Sequence, residues 1–176
     1  MASIKQETMA TSSSEGAAFH PLYDTWTMYA HLPHDTDWSV HSCKKLITCK
    51  SIEEAITLFE AIPEKMVQNC MLRMMKQNIQ PVWEDPKNKN GSSLSFKVQG
   101  HSVYRAWKEL CYAMVSRTIS HEPDILSKIN GISISPKRNF SIIKIWLEDH
   151  SVKNMKNIKD LYAMNEQNVI YKGHGN

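Results

Sequence analysis

The chain has 176 residues, 41% hydrophobic and 22% charged, with a formal net charge of +3. This is ordinary globular composition, enough for one domain with a real core, and the charge is too small to drive duplex DNA binding by itself. No apolar run is long enough to span a membrane, and MASIKQETMATSSSEGAAF lacks the apolar stretch of a signal peptide.

Residues 1–18, rich in Ser, Thr and Ala, read as a disordered tail, and 19–176 as the folded domain. LYDTWTMYA has the aromatic and β-branched content of a strand, and WSVHSCKKLITC reads as a second one starting at or just before Trp38. SIEEAITLFEAI is a helix: Ser51 and Glu54 form a capping box, and Ile52, Ala55, Ile56 and Phe59 recur at helical spacing. MLRMM and SLSFKV are strands on either side of a loop. VYRAWKELCYAMVS is a second helix with Val103, Trp107, Leu110, Cys111 and Met114 as its buried stripe. GISIS and FSIIKIWLE pair across PKRN, VKNMKNIKDLYAM reads as a third helix, and NVIYK closes as a strand. Short strands without regular βαβ alternation indicate an α+β fold with one antiparallel sheet.

The loop IQPVWEDPKNKNG has neither strand nor helix periodicity, yet it sets Trp83 beside Glu84 where water can reach both. On residue type alone Trp38 and Trp83 could be core aromatics and Glu84 a solvated carboxylate. The turn PKRN supplies Lys137 and Arg138, and strand alternation puts Ile142, Lys144 and Trp146 on one face. Asp85 reads as a turn acceptor. Cys43, Cys49, Cys70 and Cys111 show no metal spacing; in a chain without a targeting segment, which is expected in the cytoplasm, they read as reduced, half-buried thiols. His31 and His34 lack further ligands, and no Gly-rich phosphate loop, nucleophile elbow or carboxylate pair suggests an enzyme.

HPLYDTW, DWSV, PVWEDPKNKNG, RAWKELCYAMV and IIKIW occur together in an order and spacing that resembles the eukaryotic translation initiation factor 4E family, the mRNA cap-binding proteins. The resemblance runs from His20 to Tyr171. It implies a strongly curved antiparallel sheet with three helices on its convex face and a slot for 7-methylguanine on the concave side. In that scheme Trp38 and Trp83 sandwich the cationic base, Glu84 accepts the guanine N1–H and N2–H groups, Trp146 meets the methyl group, and Lys137, Arg138 and Lys144 hold phosphates. No cofactor is implied. The implied partners are capped mRNA and, on the back, a factor 4G-like scaffold or a 4E-binding protein, received by a monomer in the cytoplasm (the host's, if the protein is viral).

The chain departs from the family pattern in several places. Lys137 stands where an arginine is usual, Ile142 where a lysine is, and Ser93 where a further basic residue is. The C-terminal loop that reaches over the second nucleotide reads as short or absent. On the back, His20, Pro21, Leu22 and Glu109 match. Ile52 and Ile56 stand on the first helix with Ile56 in place of a tryptophan, and Lys108 and Tyr112 replace apolar positions. The expected function is recruitment of capped mRNA for translation. The rival is a cap-binding repressor that does not engage the usual scaffold.

Overall fold

The computed structural model describes residues 19–175. Its frame is a curved antiparallel sheet of β1 (Pro21–His31), β2 (Lys44–Ser51), β3 (Met71–Lys76), β4 (Ser92–Gln99), β5 (Ile129–Pro136), β6 (Phe140–Leu147) and β7 (Val169–Gly173). The spatial order is β2-β1-β3-β5-β6-β4-β7. Met28, Met74, Ile132, Ile145 and Leu94 are successive cross-strand partners, and all are essentially without solvent exposure. Burying each such side chain contributes about 1.5–3 kcal/mol. Because side chains alternate, the neighbouring residue on each strand faces the other way, and that second face carries Arg73, Ser133, Lys144 and Ser95 in register.

The apolar face is covered by α1 (Ile52–Ala61), α2 (Glu64–Asn69) and α4 (Val103–Val115). The capping box forms as expected: Ser51 Oγ accepts from Glu54 N at 3.2 Å, and the Glu54 carboxylate accepts from Ser51 N at 3.2 Å. In α4 the expected stripe is buried throughout, with Ala106 and Ala113. Phe59 of α1 meets Tyr112 of α4 edge-on at 5.1 Å.

Three expectations need correction. β2 starts at Lys44, not at Trp38; residues 40–42 form a single 3-10 turn, and Trp38 stands 67% exposed in the loop before it. Asp35 and Asp37 account for this, since their carboxylates accept from the amides of Asp37 and Ser39 and so bend the chain. The Pro81 loop contains α3 (Pro86–Lys89), a single turn with Pro at its first position and Asp85 as N-cap.

The third correction is larger. Residues 152–164 are not a helix. Val152, Met155, Ile158, Leu161 and Met164 are buried at every third position, a spacing that imitates a helix stripe. The backbone bonds go elsewhere: Lys159 N donates to Ile119 O, Asn157 O accepts from Ser120 Oγ, Asn154 caps Lys156 N, and Leu161 bridges to Met164. Asparagine side chains that bond the local backbone favour turns over helix, and here they prevail. The third helix on the back is therefore α2; a further short helix, α5 (Pro123–Lys128), precedes β5. The expected tail, residues 1–18, lies outside the described residues.

Candidate ligand-binding site

The loop bearing Trp83 and Glu84 is fastened from beneath. Asp85 is buried, and its two carboxylate oxygens accept from Lys87 N and Gln80 N at 2.8 Å each. Asn88 is fully buried; its Nδ2 donates to Val82 O at 2.8 Å and Gln80 O at 3.1 Å, while its Oδ1 accepts from Asn130. Gly91 closes the loop where only glycine fits, because a Cβ there would lie 2.0 Å from Leu147 O. Above these fixed residues the Trp83 indole is 53% exposed and Glu84 is exposed with no partner among the described hydrogen bonds. Asp85 is the turn acceptor expected of it.

Trp38 stands at the other end of the β1–β3 pair from the Trp83 loop, since its loop leaves β1 beside Met71 whereas the Trp83 loop leaves β3 beside Trp26. Its ring lies parallel to His31, with centroids 4.7 Å apart and planes 7° apart. His31 is buried, and its Nε2 is 2.8 Å from Asp37 O. A carbonyl only accepts, so Nε2 is the protonated nitrogen. The indole thus rests one face on a fixed ring and leaves the other free.

Trp146 is more enclosed than expected, at 9% exposure. Its Nε1 donates to Ser133 Oγ at 2.8 Å, and the His174 ring meets it edge-on at 5.5 Å. His174 also binds the Trp83 loop, through Nδ1 to Asn88 O at 2.9 Å and through its amide to Gly91 O. Burial pushes the His174 imidazole below its ordinary value against the pull of the Asn88 carbonyl, and Lys144, His150 and Lys172 push the same way. The Trp83 loop and Trp146 are in this manner one assembly.

Of the three basic residues expected at the site, the structure brings together Lys137 and Lys144. Burial lowers the Lys144 ammonium from its usual range, and the positive charges of Lys172, Lys137 and Arg73 lower it further. None of these four cations takes part in an ion pair among the described residues. Arg73 donates instead to Cys43 Sγ at 2.6 Å. Between Trp146 and Lys172 across the strands sits Ser93, whose buried hydroxyl has no partner. Arg138 is not among the charges that act on Lys144; with Lys137 it lines a cleft at the end of the sheet. Arg73, Lys172, His174 and His31 were missed in the sequence. Their signal was alternation: Arg73 lies between Leu72 and Met74, and Lys172 next to Tyr171, opposite in facing to the core residues.

On the back, Ile52 and Ile56 are each 45% exposed and so are not core residues. The His20 ring bonds Glu53 at 2.6 Å and its amide bonds the same carboxylate, which holds Glu53 down to about 2. Pro21 is exposed, Leu22 and Glu109 half-buried. Glu60 accepts from both Lys108 Nζ and Tyr112 OH at 2.6 Å, so a polar bridge spans α1 and α4 beside Ile56. No described helix is long and apolar enough to cross a membrane, and no described cluster of His, Cys, Asp or Glu could hold a metal.

A free indole face, an unpaired carboxylate beside it and a row of unpaired cations define a binding protein for a flat, amide-bearing base attached to phosphates. The chain belongs to the eukaryotic initiation factor 4E family: the sequence profile described as Eukaryotic initiation factor 4E matches residues 21–176. It is 26% identical to eukaryotic translation initiation factor 4E of Candida albicans, across 98% of this chain and 88% of that protein. Among solved structures it is similar to schistosome eIF4E complexed with m7GpppG and 4E-BP, at 25% identity and a TM-score of 0.68 over 76% of this chain and 74% of that one. Ascaris suum eIF4E-3 with m7G cap shares the fold at 18% identity and a TM-score of 0.69, over 77% of each chain.

Proposed function

We propose that this chain binds the 7-methylguanosine 5' cap of mRNA, without catalysis, in the cytoplasm, and recruits the message for translation initiation through a partner on its helical face. The observation that carries the reading is the Trp83–Glu84 loop. The two buried polar side chains of this loop, Asp85 and Asn88, are spent on holding its backbone, and Lys87 is paired with Glu148, which leaves the exposed Trp83 indole and Glu84 carboxylate side by side without a partner among the described hydrogen bonds. Methylation at N7 makes guanine cationic. Stacking a cation on indole is worth about 0.5–1 kcal/mol when exposed and about 2 or more when desolvated. Trp83 and Trp38 offer such faces. A carboxylate accepts from the N1–H and N2–H groups together, which fixes the base edge. Trp146, being nearly buried, offers only an edge, suited to the methyl group. The triphosphate falls to Arg73, Lys137, Lys144 and Lys172, which makes good the missing basic residues at Ile142 and Ser93.

Tryptophan-fluorescence titration tests this. 7-Methyl-GTP should quench at far lower concentration than GTP, and Trp83→Ala and Glu84→Ala should each abolish most of the difference with little change in melting temperature, since both side chains are exposed. Equal affinity for the two nucleotides refutes the proposal.

A second reading, a repressor that binds caps but not the usual scaffold, is favoured by one feature. The Lys108–Glu60–Tyr112 bridge puts paired charge where a partner helix would bury leucine, and Ile56 offers less surface there than an indole.

A further inference from the structure

The two cations of the β5–β6 turn serve different surroundings. Lys137 acts on Lys144 on the open sheet face, and it also lines, with Arg138, a cleft of about 410 Å³ at the end of the sheet. Gln68, Asn69, Asn139 and Phe140 line the same cleft, and no carboxylate is among its lining residues. Gln68 and Asn69 are exposed at the last turn of α2, where Gln68 Nε2 donates to Glu64 Oε1 at 2.8 Å and Asn69 Nδ2 to Lys65 O at 2.7 Å, so their amide oxygens have no partner among the described hydrogen bonds; Asn139 is exposed in the hairpin turn. Beside the cleft, Lys97 Nζ stands 4.6 Å from the centre of the Phe140 ring. Lys97 pairs across the strands with Ile142, on the face that carries Lys144 and Trp146. Neither Lys97 nor Arg138 has an acidic partner among the described ion pairs.

Cations, side-chain amides and a half-exposed aromatic ring together suit single-stranded nucleic acid: cations track phosphates, a ring gives a base a surface, and amides both donate and accept at base edges. Geometry supplies the direction. Along β6 the rise is about 3.3 Å per residue, so Phe140 lies roughly 20 Å from Trp146, with Lys144 between them. A base near Trp146 and phosphates over Lys144 leave the chain leaving toward Phe140. We propose that this cleft, with Lys97 and Arg138 at its mouth, binds the RNA that follows the cap: Arg138 and Lys97 take backbone phosphates, and the Asn139 amide with the amide oxygens of Gln68 and Asn69 takes a base. The inference rests on the cap reading, because that reading sets where the RNA chain begins.

The test compares 7-methyl-GTP with a capped hexanucleotide, by fluorescence titration at several salt concentrations, on the full chain. The wild type should prefer the capped oligonucleotide about fivefold or more. Arg138→Ala should shrink that preference and flatten the salt slope for the oligonucleotide by about 0.7, the share of one phosphate contact. Asn69→Glu, which brings a carboxylate to the cleft, should remove the preference without loss of 7-methyl-GTP binding, and that retained binding shows the variant is folded. No preference in the wild type overturns the inference, as does a preference and slope that survive both variants. If the wild type fails to bind 7-methyl-GTP at all, it is the cap reading that has failed.

Discussion

Removing the His31 ring should weaken cap binding although His31 itself touches no ligand. Trp38 is two-thirds exposed on a loop, and the parallel stack on His31 is the contact that orients its indole. Losing an aromatic pair forfeits about 0.5–1.5 kcal/mol. The Nε2–H bond to Asp37 O, which joins the ring to the Trp38 loop, adds about 1 kcal/mol. His31→Ala should therefore reduce 7-methyl-GTP affinity roughly tenfold to sixtyfold, at about 1.4 kcal/mol per decade. His31→Phe keeps a stacking surface and loses only the bond, so it should lose about fivefold. Fluorescence titration reads both, with circular dichroism to establish folding. A folded His31→Ala variant within twofold of wild type would refute the buttress, and so would a His31→Phe variant as weak as His31→Ala.

Lys144 should trade stability against affinity. Its lowered pKa means the folded chain binds that proton less tightly than the unfolded one, so stability rises with pH from the lowered value up to the ordinary 10.5. Lys144→Met should accordingly raise the melting temperature at neutral pH while weakening 7-methyl-GTP binding; a lower melting temperature, or unchanged binding, contradicts the unpaired cluster. His174 predicts acid sensitivity. As pH falls from the ordinary 6.5 through the depressed value, the unfolded chain takes up a proton that the folded one resists, so stability drops. In urea unfolding at several pH values, His174→Phe should flatten that slope, and an identical slope would remove His174 as its source. On the back, Ile56→Trp should tighten binding of a generic Tyr-x4-Leu-apolar peptide about thirtyfold, the worth of an anchor indole. Calorimetry showing no gain would place the partner groove away from Ile56.

The strands and the two long helices were legible because each has a partner-independent signal. Capping by Ser51 and Glu54, and the apolar stripe of α4, act within one segment. So did the Trp83–Glu84 loop, whose prolines and glycine mark it as irregular. Residues 152–164 misled because burial at every third position does not distinguish a helix from a chain pinned at intervals to a neighbouring loop. Half the basic site was hidden for a different reason. Arg73 and Lys172 are ordinary strand residues until antiparallel pairing sets them around Lys144, and pairing is a relation between segments that no single window contains. Arg138 read as a phosphate ligand by adjacency to Lys137; the two line one cleft at the end of the sheet, but of the pair only Lys137 is among the charges that act on Lys144, a difference adjacency does not reveal.

The cation row draws Arg73 and Lys172 from positions about a hundred residues apart in the chain, and Lys172 and His174 arrive only with β7 and the residue that follows it. β7 is five residues long and paired on one side, so it is the strand most exposed to fraying. When it detaches, the site loses a cation, the ring against Trp146 and the tie to the Trp83 loop at once. An anion seated across the row resists that detachment. Bound and free protein should consequently differ most in amide exchange at Tyr171–Gly173, far from either exposed indole in sequence, and a nascent chain lacks these contacts to the ligand site until β7 has left the ribosome.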